Sequence, residues 1–171
     1  MKRSAPLMLL SVLTMLFSCV GTVEQPEYFS AYTPVLMDRE SLERSIKWHP
    51  PADIKSPAKI YYKDNYIMIS EHYKGVHIVD NTDPKNPSLK GYISVPGCVD
   101  MAIKENTLYV DNAVDLVAID VSKINIGQIE VKKRIKETFP ELVPPDGMSI
   151  PYRYSKGVRP KNSVIVNWVI K

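Results

Sequence analysis

Two stretches of this 171-residue chain repeat one another at a fixed distance, and that distance limits the fold more than any other feature. Asn65 aligns with Asn106, Ile67 with Leu108 and Ile69 with Val110, each 41 residues further on. Val79 and Asp80 align with Ile119 and Asp120 at a spacing of 40, so one residue is deleted between two strands of the unit. Upstream, Ile60-Tyr61-Tyr62 falls opposite Met101-Ala102-Ile103. The runs are short and rich in Val, Ile and Tyr, as half-buried strands require. They predict strands near 58–62, 66–71, 75–80 and 89–94, and again near 99–103, 107–111, 115–120 and 129–134.

Lys63-Asp64-Asn65 and Glu105-Asn106 suit tight turns between such strands. Asp80-Asn81-Thr82-Asp83-Pro84 and Asn86-Pro87 form a longer loop, which keeps the prolines out of the ladder. Fourteen prolines against seven glycines argue further against long helices. A period near 40 built from four short strands is the pattern of β-propeller blades. The predicted fold is all-β: two propeller-type four-stranded blades, an incomplete propeller, with a short N-terminal helix and an extended C-terminal tail. The helix is expected from Asp38, as N-cap, to Ser45, with Leu42 and Ile46 four apart, and Pro50-Pro51 and Pro57 close it off. At the far end, Val164-Ile165-Val166 and Trp168-Val169-Ile170 form an apolar run placed to pair back with 33–37. Two blades fall short of the four that close a propeller, so the outer faces need capping by the termini, self-association or a partner.

The N-terminus reads as an address. Met1 to Arg3 are positively charged, and 7–17 is apolar except for Ser11 and Thr14. That stretch is shorter than the roughly 20 residues a bilayer span needs and matches a signal-peptide core. Leu16-Phe17-Ser18-Cys19 resembles the lipobox of bacterial lipoproteins. The resemblance implies cleavage after Ser18, lipidation of Cys19 and firm anchoring by several acyl chains. Segment 20–37 contains Glu24 and Glu27 with no Lys or Arg, similar to the tether of lipoproteins sent to the outer face of the outer membrane. Cleavage removes Lys2 and Arg3, taking 22 basic residues to 20 against 19 acidic, a formal charge of +1. A nearly neutral surface gives no electrostatic basis for nucleic-acid binding.

Gly75-Val76-His77-Ile78-Val79-Asp80, followed by Asp83-Pro84, Asn86-Pro87 and Val95-Pro96-Gly97, resembles the LVIVD repeat of bacterial surface lipoproteins. The second copy, Leu116-Val117-Ala118-Ile119-Asp120, keeps the strand but lacks the Asp-Pro. The resemblance covers about 57–135 and implies a propeller-type fold and lipoprotein status more than any chemistry. The expected organisation is a signal peptide at 1–18, lipidated cysteine and tether at 19–37, and helix with Pro-rich lead-in at 38–56. The two blades follow at 57–135, then a Pro-rich tail with a terminal strand at 136–171.

No catalytic constellation stands out, and the chain is expected not to be an enzyme and to take no cofactor or metal. His72 and His77 flank a turn without an acid or cysteine at a metal-ligand spacing, and His77 takes the place of Val117 in the repeat. Asp80 and Asp83 suit Asx turns better than a calcium loop, because Pro84 stands where the glycine turn belongs. With Cys19 modified, Cys98 is left alone in an apolar context, a small core residue. Ten tyrosines supply candidate contact surface, and Tyr61, Tyr62, Tyr73, Tyr152 and Tyr154 are singled out for a ligand or partner. Two functions remain open at this stage. One is an accessory subunit docked to a larger outer-membrane complex, by analogy of location a Sus-type nutrient importer. The other is a free-standing surface binder of glycan or peptide.

Overall fold

The computed structural model of the chain describes residues 30–170. The expected signal peptide, the expected lipidation site Cys19 and the part of the expected tether up to residue 29 lie outside the described residues. The rest forms three antiparallel sheets, none of them closed. The strands are β1 Tyr32–Asp38, β2 Lys47–His49, β3 Pro57–Lys63, β4 Tyr66–Glu71, β5 Gly75–Asp80 and β6 Ser88–Ser94. They continue with β7 Met101–Lys104, β8 Thr107–Asn112, β9 Asp115–Asp120, β10 Glu130–Ile135 and β11 Ser163–Ile170. Among the described residues one α-helix, α1, spans Arg39–Glu43, and short 3₁₀ turns occupy Ile124–Ile126 and Tyr152–Tyr154.

The first sheet has the order β2-β6-β5-β4-β3 and the second β10-β9-β8-β7. The first therefore holds five strands where the sequence predicts four. The addition is β2, which lies inside the expected lead-in and pairs Trp48 with Ile93 at the β6 edge. Its anchor is shape: the Trp48 ring lies over Gly91, where a Cβ would come within 2.0 Å of it.

The sequence repeat is also a backbone repeat. Asp64 and Glu105 occupy the left-handed region in the β3–β4 and β7–β8 turns, with φ of 54° and 53°. Tyr73 and Ala113 do so one turn later, at 62° and 59°. After the third strand of each unit, Asp80 accepts from the Thr82 backbone N–H at 3.0 Å and Asp120 from Ser122 at 2.8 Å. These are Asx turns, and both carboxyls are held below their ordinary range by those bonds.

The two sheets pack face to face. Met68, Val76, Ile78 and Ile93 from the first meet Met101, Leu108, Val110, Val117 and Ile119 from the second, with Cys98 in the same core. Two consecutive strand residues face opposite ways, so each sheet commits one face to this core. Gly97, at φ 79°, lets the connection approach Ala113, whose Cα would lie 2.8 Å from an added Cβ.

The third sheet is β1 paired with β11, from Tyr32 opposite Ile170 to Asp38 opposite Ser163, with one bulge at Val35/Leu36. It joins the apolar terminal run to the N-terminal strand. Asp38 ends β1 and caps α1, accepting from the Ser41 backbone N–H at 2.9 Å. Leu42 of the helix, Val164 and Val166 of β11, and the Ala113-Val114 turn of the second sheet form a separate small core. The tail is fastened beside it: Trp168 Nε1 donates to the Leu142 carbonyl at 3.1 Å, and Ser30 Oγ to Asp146 at 2.8 Å.

Candidate interaction surfaces

Register assigns each side chain of the first sheet to a face. Ile60 pairs with Ile69 and Tyr62 with Ile67 on β4. Ile67 pairs onward with Val79 and Ile69 with His77 on β5. Val79 pairs with Leu89 and His77 with Tyr92 on β6. These residues form one face, opposite the Met68–Ile78–Ile93 face that enters the core. The exposed face is apolar: Ile60 is 67% exposed, Tyr62 64% and Leu89 40%.

Repeat equivalence makes this exposure informative. The counterparts of Ile60, Ile67, Ile69 and Val79 in the second sheet are Met101, Leu108, Val110 and Ile119. Those four are buried, because the first sheet covers them. A face built to be covered is thus covered in the second unit and open in the first.

Part of the open face is roofed by its own chain. Segment 50–56 connects β2 at one edge to β3 at the other, and the His72 backbone N–H donates to the Ser56 carbonyl at 3.1 Å. Ala52, Asp53 and Lys55 join Glu71, Lys74, His77 and Tyr92 around a cavity of about 280 Å³. Beneath it, His77 Nε2 lies 2.6 Å from Glu71 Oε2, and Lys74 Nζ donates to Glu71 Oε1 at 2.8 Å. Burial opposes the charge on Glu71, but the bonds from Lys74 and His77 outweigh it and hold the carboxyl below its ordinary range. A carboxylate only accepts, so His77 donates through Nε2. His77 Nδ1 is buried with no hydrogen-bond partner. The Tyr92 ring packs 4.7 Å from the His77 ring. Burial first, and the Glu71 charge second, push its phenol up to about 12. The group is a polar clamp at one end of the face.

The outward face of the second sheet is the other unpacked surface. Ala102, Tyr109 and Ala118 are paired in a row, as are Asp111 and Leu116, with Ile135 beyond. Tyr109 and Ile135 are exposed. By contrast, the β3 and β10 edges are protected. β3 presents Pro57, Lys59 and Lys63 with a bulge between Pro57 and Ile60. β10 presents Lys132 and Lys133. Charges, proline and bulges at an edge discourage strand addition, which leaves the faces as the available surfaces.

No family model, curated protein or solved structure matches this chain. Its surfaces therefore speak through their own chemistry.

The five tyrosines singled out from sequence do not form one cleft. Tyr61 and Tyr62 fall on opposite faces of β3, and Tyr61 pairs with Met68 on the face that enters the core. Tyr73 sits in the β4–β5 turn and lines an apolar groove of about 330 Å³ with Phe139, Leu142 and Val143. Tyr152 is 82% exposed in its 3₁₀ turn, and the Arg153 guanidinium lies 5.0 Å over the Tyr154 ring. Asp83 accepts from Lys85 and Asn86 of its own loop, at 3.0 and 2.7 Å. Among the described residues, no three His, Cys, Asp or Glu side chains converge as a metal site. The Glu71–His77 pair was not read from the sequence. Its signal lay in the repeat, where polar Glu71 and His77 replace Asn112 and Val117.

Proposed function

We propose that this protein is a non-enzymatic surface lipoprotein, anchored through Cys19, that acts as an accessory subunit of a larger outer-membrane complex. In this reading the two sheets are LVIVD-type propeller blades whose stack stops short and is completed by other protein. The observation that supports it is the open apolar face of the first sheet, with Ile60 and Tyr62 each about two-thirds exposed. A monomer that ends its stack this way leaves in water a surface whose repeat counterpart is core. The protected edges direct association to this face instead of to strand addition. The host proposed is an importer of the Sus type, which the lipid anchor would place in the same membrane.

The test is a pull-down from native outer membranes in mild detergent, with a tag after Lys171 and quantitative mass spectrometry of what co-purifies. A barrel protein at a fixed ratio to the bait, lost when Tyr62 is changed to Arg, is the expected result. A bait that emerges without any membrane protein overturns the subunit reading. The exposed Tyr152 and Tyr154 loop would then be the place to search for a glycan or peptide.

A further inference from the structure

We propose that the open face of the first sheet is occupied by a second copy of this chain, docked through the outward face of its second sheet, so that two copies close a ring of four sheets. The inference rests on the reading of that face as a docking surface and names what takes it; the host complex then engages the closed pair.

The chain contains its own template for this contact. Its internal interface joins the inward face of the first sheet to the Met101–Ile119 face of the second. One further repeat of that step needs the outward face of a second sheet and the Ile60–Leu89 face of a first sheet. Of the two larger sheets, those are the faces a single copy leaves partly open, the first around Ile60, Tyr62 and Leu89 and the second around Tyr109. The contact is heterologous, one kind of face on another, and such contacts either close into a ring or run on as a filament. Two copies bring four sheets, the smallest number with which propellers are built.

Side-chain size fits the pairing. Ile60, Tyr62 and Leu89 protrude from the first sheet. The row facing them in the proposed partner, Ala102–Tyr109–Ala118, has alanines where the inward face of the first sheet has Tyr61 and Ile78. A strip lowered by two alanines leaves space for larger side chains opposite. The charge arrangement permits burial as well. Glu71 is already paired with Lys74 and hydrogen-bonded to His77 at the roofed end. On the second sheet the charges of this face lie around the alanine row: Lys104 at one end, Lys133 beside Ala118 on the edge strand, and Asp111, which accepts from the Val99 and Asp100 backbone N–H groups.

The experiment is native mass spectrometry of the full chain, purified in mild detergent, over a dilution series. Three samples are compared with the unaltered protein: Tyr62→Arg, Ala102→Arg, and an equimolar mixture of the two. The unaltered chain is expected to give a two-copy species that dissociates on dilution. Each variant alone loses it, because every chain then carries one spoiled face. The mixture regains it, because one good face remains on each type of chain. Unchanged circular dichroism melts separate loss of pairing from loss of folding. Should either arginine unfold the chain, Tyr62→Ser and Ala102→Gln replace it. A monomer at every concentration, an open-ended series of masses, or a mixture that does not pair would each overturn the proposal. A pair formed without a captured barrel keeps this inference and removes the subunit reading. Capture of a barrel by a single copy does the reverse.

Discussion

Replacing Asp115 by Asn is expected to lower stability by about 3 kcal/mol, a large fraction of what a domain of this size possesses. Asp115 opens β9, and its side chain has no exposure. It accepts from Arg39 Nη2 at 2.8 and 2.7 Å, from Arg134 Nη1 at 2.8 Å and from the Glu137 backbone N–H at 3.1 Å. Arg39 stands on α1 and Arg134 on β10, so one carboxylate ties the helix to the second sheet. Asparagine keeps the volume but loses the charge, and it turns an NH₂ toward a guanidinium. Removing one partner from a buried ion pair costs about 3–5 kcal/mol. The Arg39 and Arg134 side chains keep 20% and 11% exposure, so water relieves part of the loss and places the effect at the low end. With an m-value of about 2 kcal/mol/M, the urea midpoint moves down by about 1.5 M. Fluorescence of Trp48 and Trp168 and far-UV circular dichroism would follow it. Burial opposes ionisation of Asp115, but the bonds from Arg134 and Arg39 outweigh it and hold the carboxyl below its ordinary value. Its contribution is therefore complete above the unfolded value of about 3.9 and disappears as pH falls through the lower folded value. The gap between wild type and variant should stay constant down to about pH 5 and close below about pH 4. A loss under about 1 kcal/mol, or a gap that persists in acid, would show that the carboxylate does not hold these elements together.

Gly91→Val places a Cβ within 2.0 Å of the Trp48 ring, with no positive φ to complicate the comparison. It should destabilise by about 1–3 kcal/mol and shift Trp48 emission to the red as β2 leaves the edge; an unchanged spectrum would mean the ring is not seated there. Cys98 is fully buried, and burial, then the charge of Asp111, pushes its thiol well above the ordinary range. An alkylating reagent should leave it untouched in native buffer and label it in urea; equal labelling in both would contradict its place in the core.

The two inner hairpins were legible because their information is local and stated twice. Asn65 and Asn106, Asp80 and Asp120, and the strands between them repeat at nearly one spacing. The pairing of the terminal run with residues 33–37 could also be anticipated, since two apolar segments remained without partners. β2 was hidden: Lys47-Trp48-His49 is too short to show alternation, and a cavity over Gly91, more than 40 residues away, fixes it. The Arg39–Asp115–Arg134 cluster joins residues 76 and 19 apart and follows no motif. The candidate surface was half legible. Tyr62 was singled out, but Ile60 and Leu89 gain meaning only once register shows them on one face beside it. Tyrosine count pointed to contact in general, while topology decides which rings share a surface.

The pairing of β1 with β11 sets an order in time. It brings Tyr32 against Ile170, and a contact across so much chain forms late, because the entropy of closing the loop must be met before the contact contributes anything. The hairpins of the two larger sheets need only neighbours and can assemble as the chain emerges. β1 must wait with its backbone unpaired, and with it α1 and the guanidinium that Asp115 requires. A copy truncated between β10 and β11 would thus keep the two larger sheets and a loose N-terminal arm, with Arg39 no longer held beside Asp115. Such an arm is open to any protease that cuts extended chain, so the eight-residue β11 shields the first strand from cleavage.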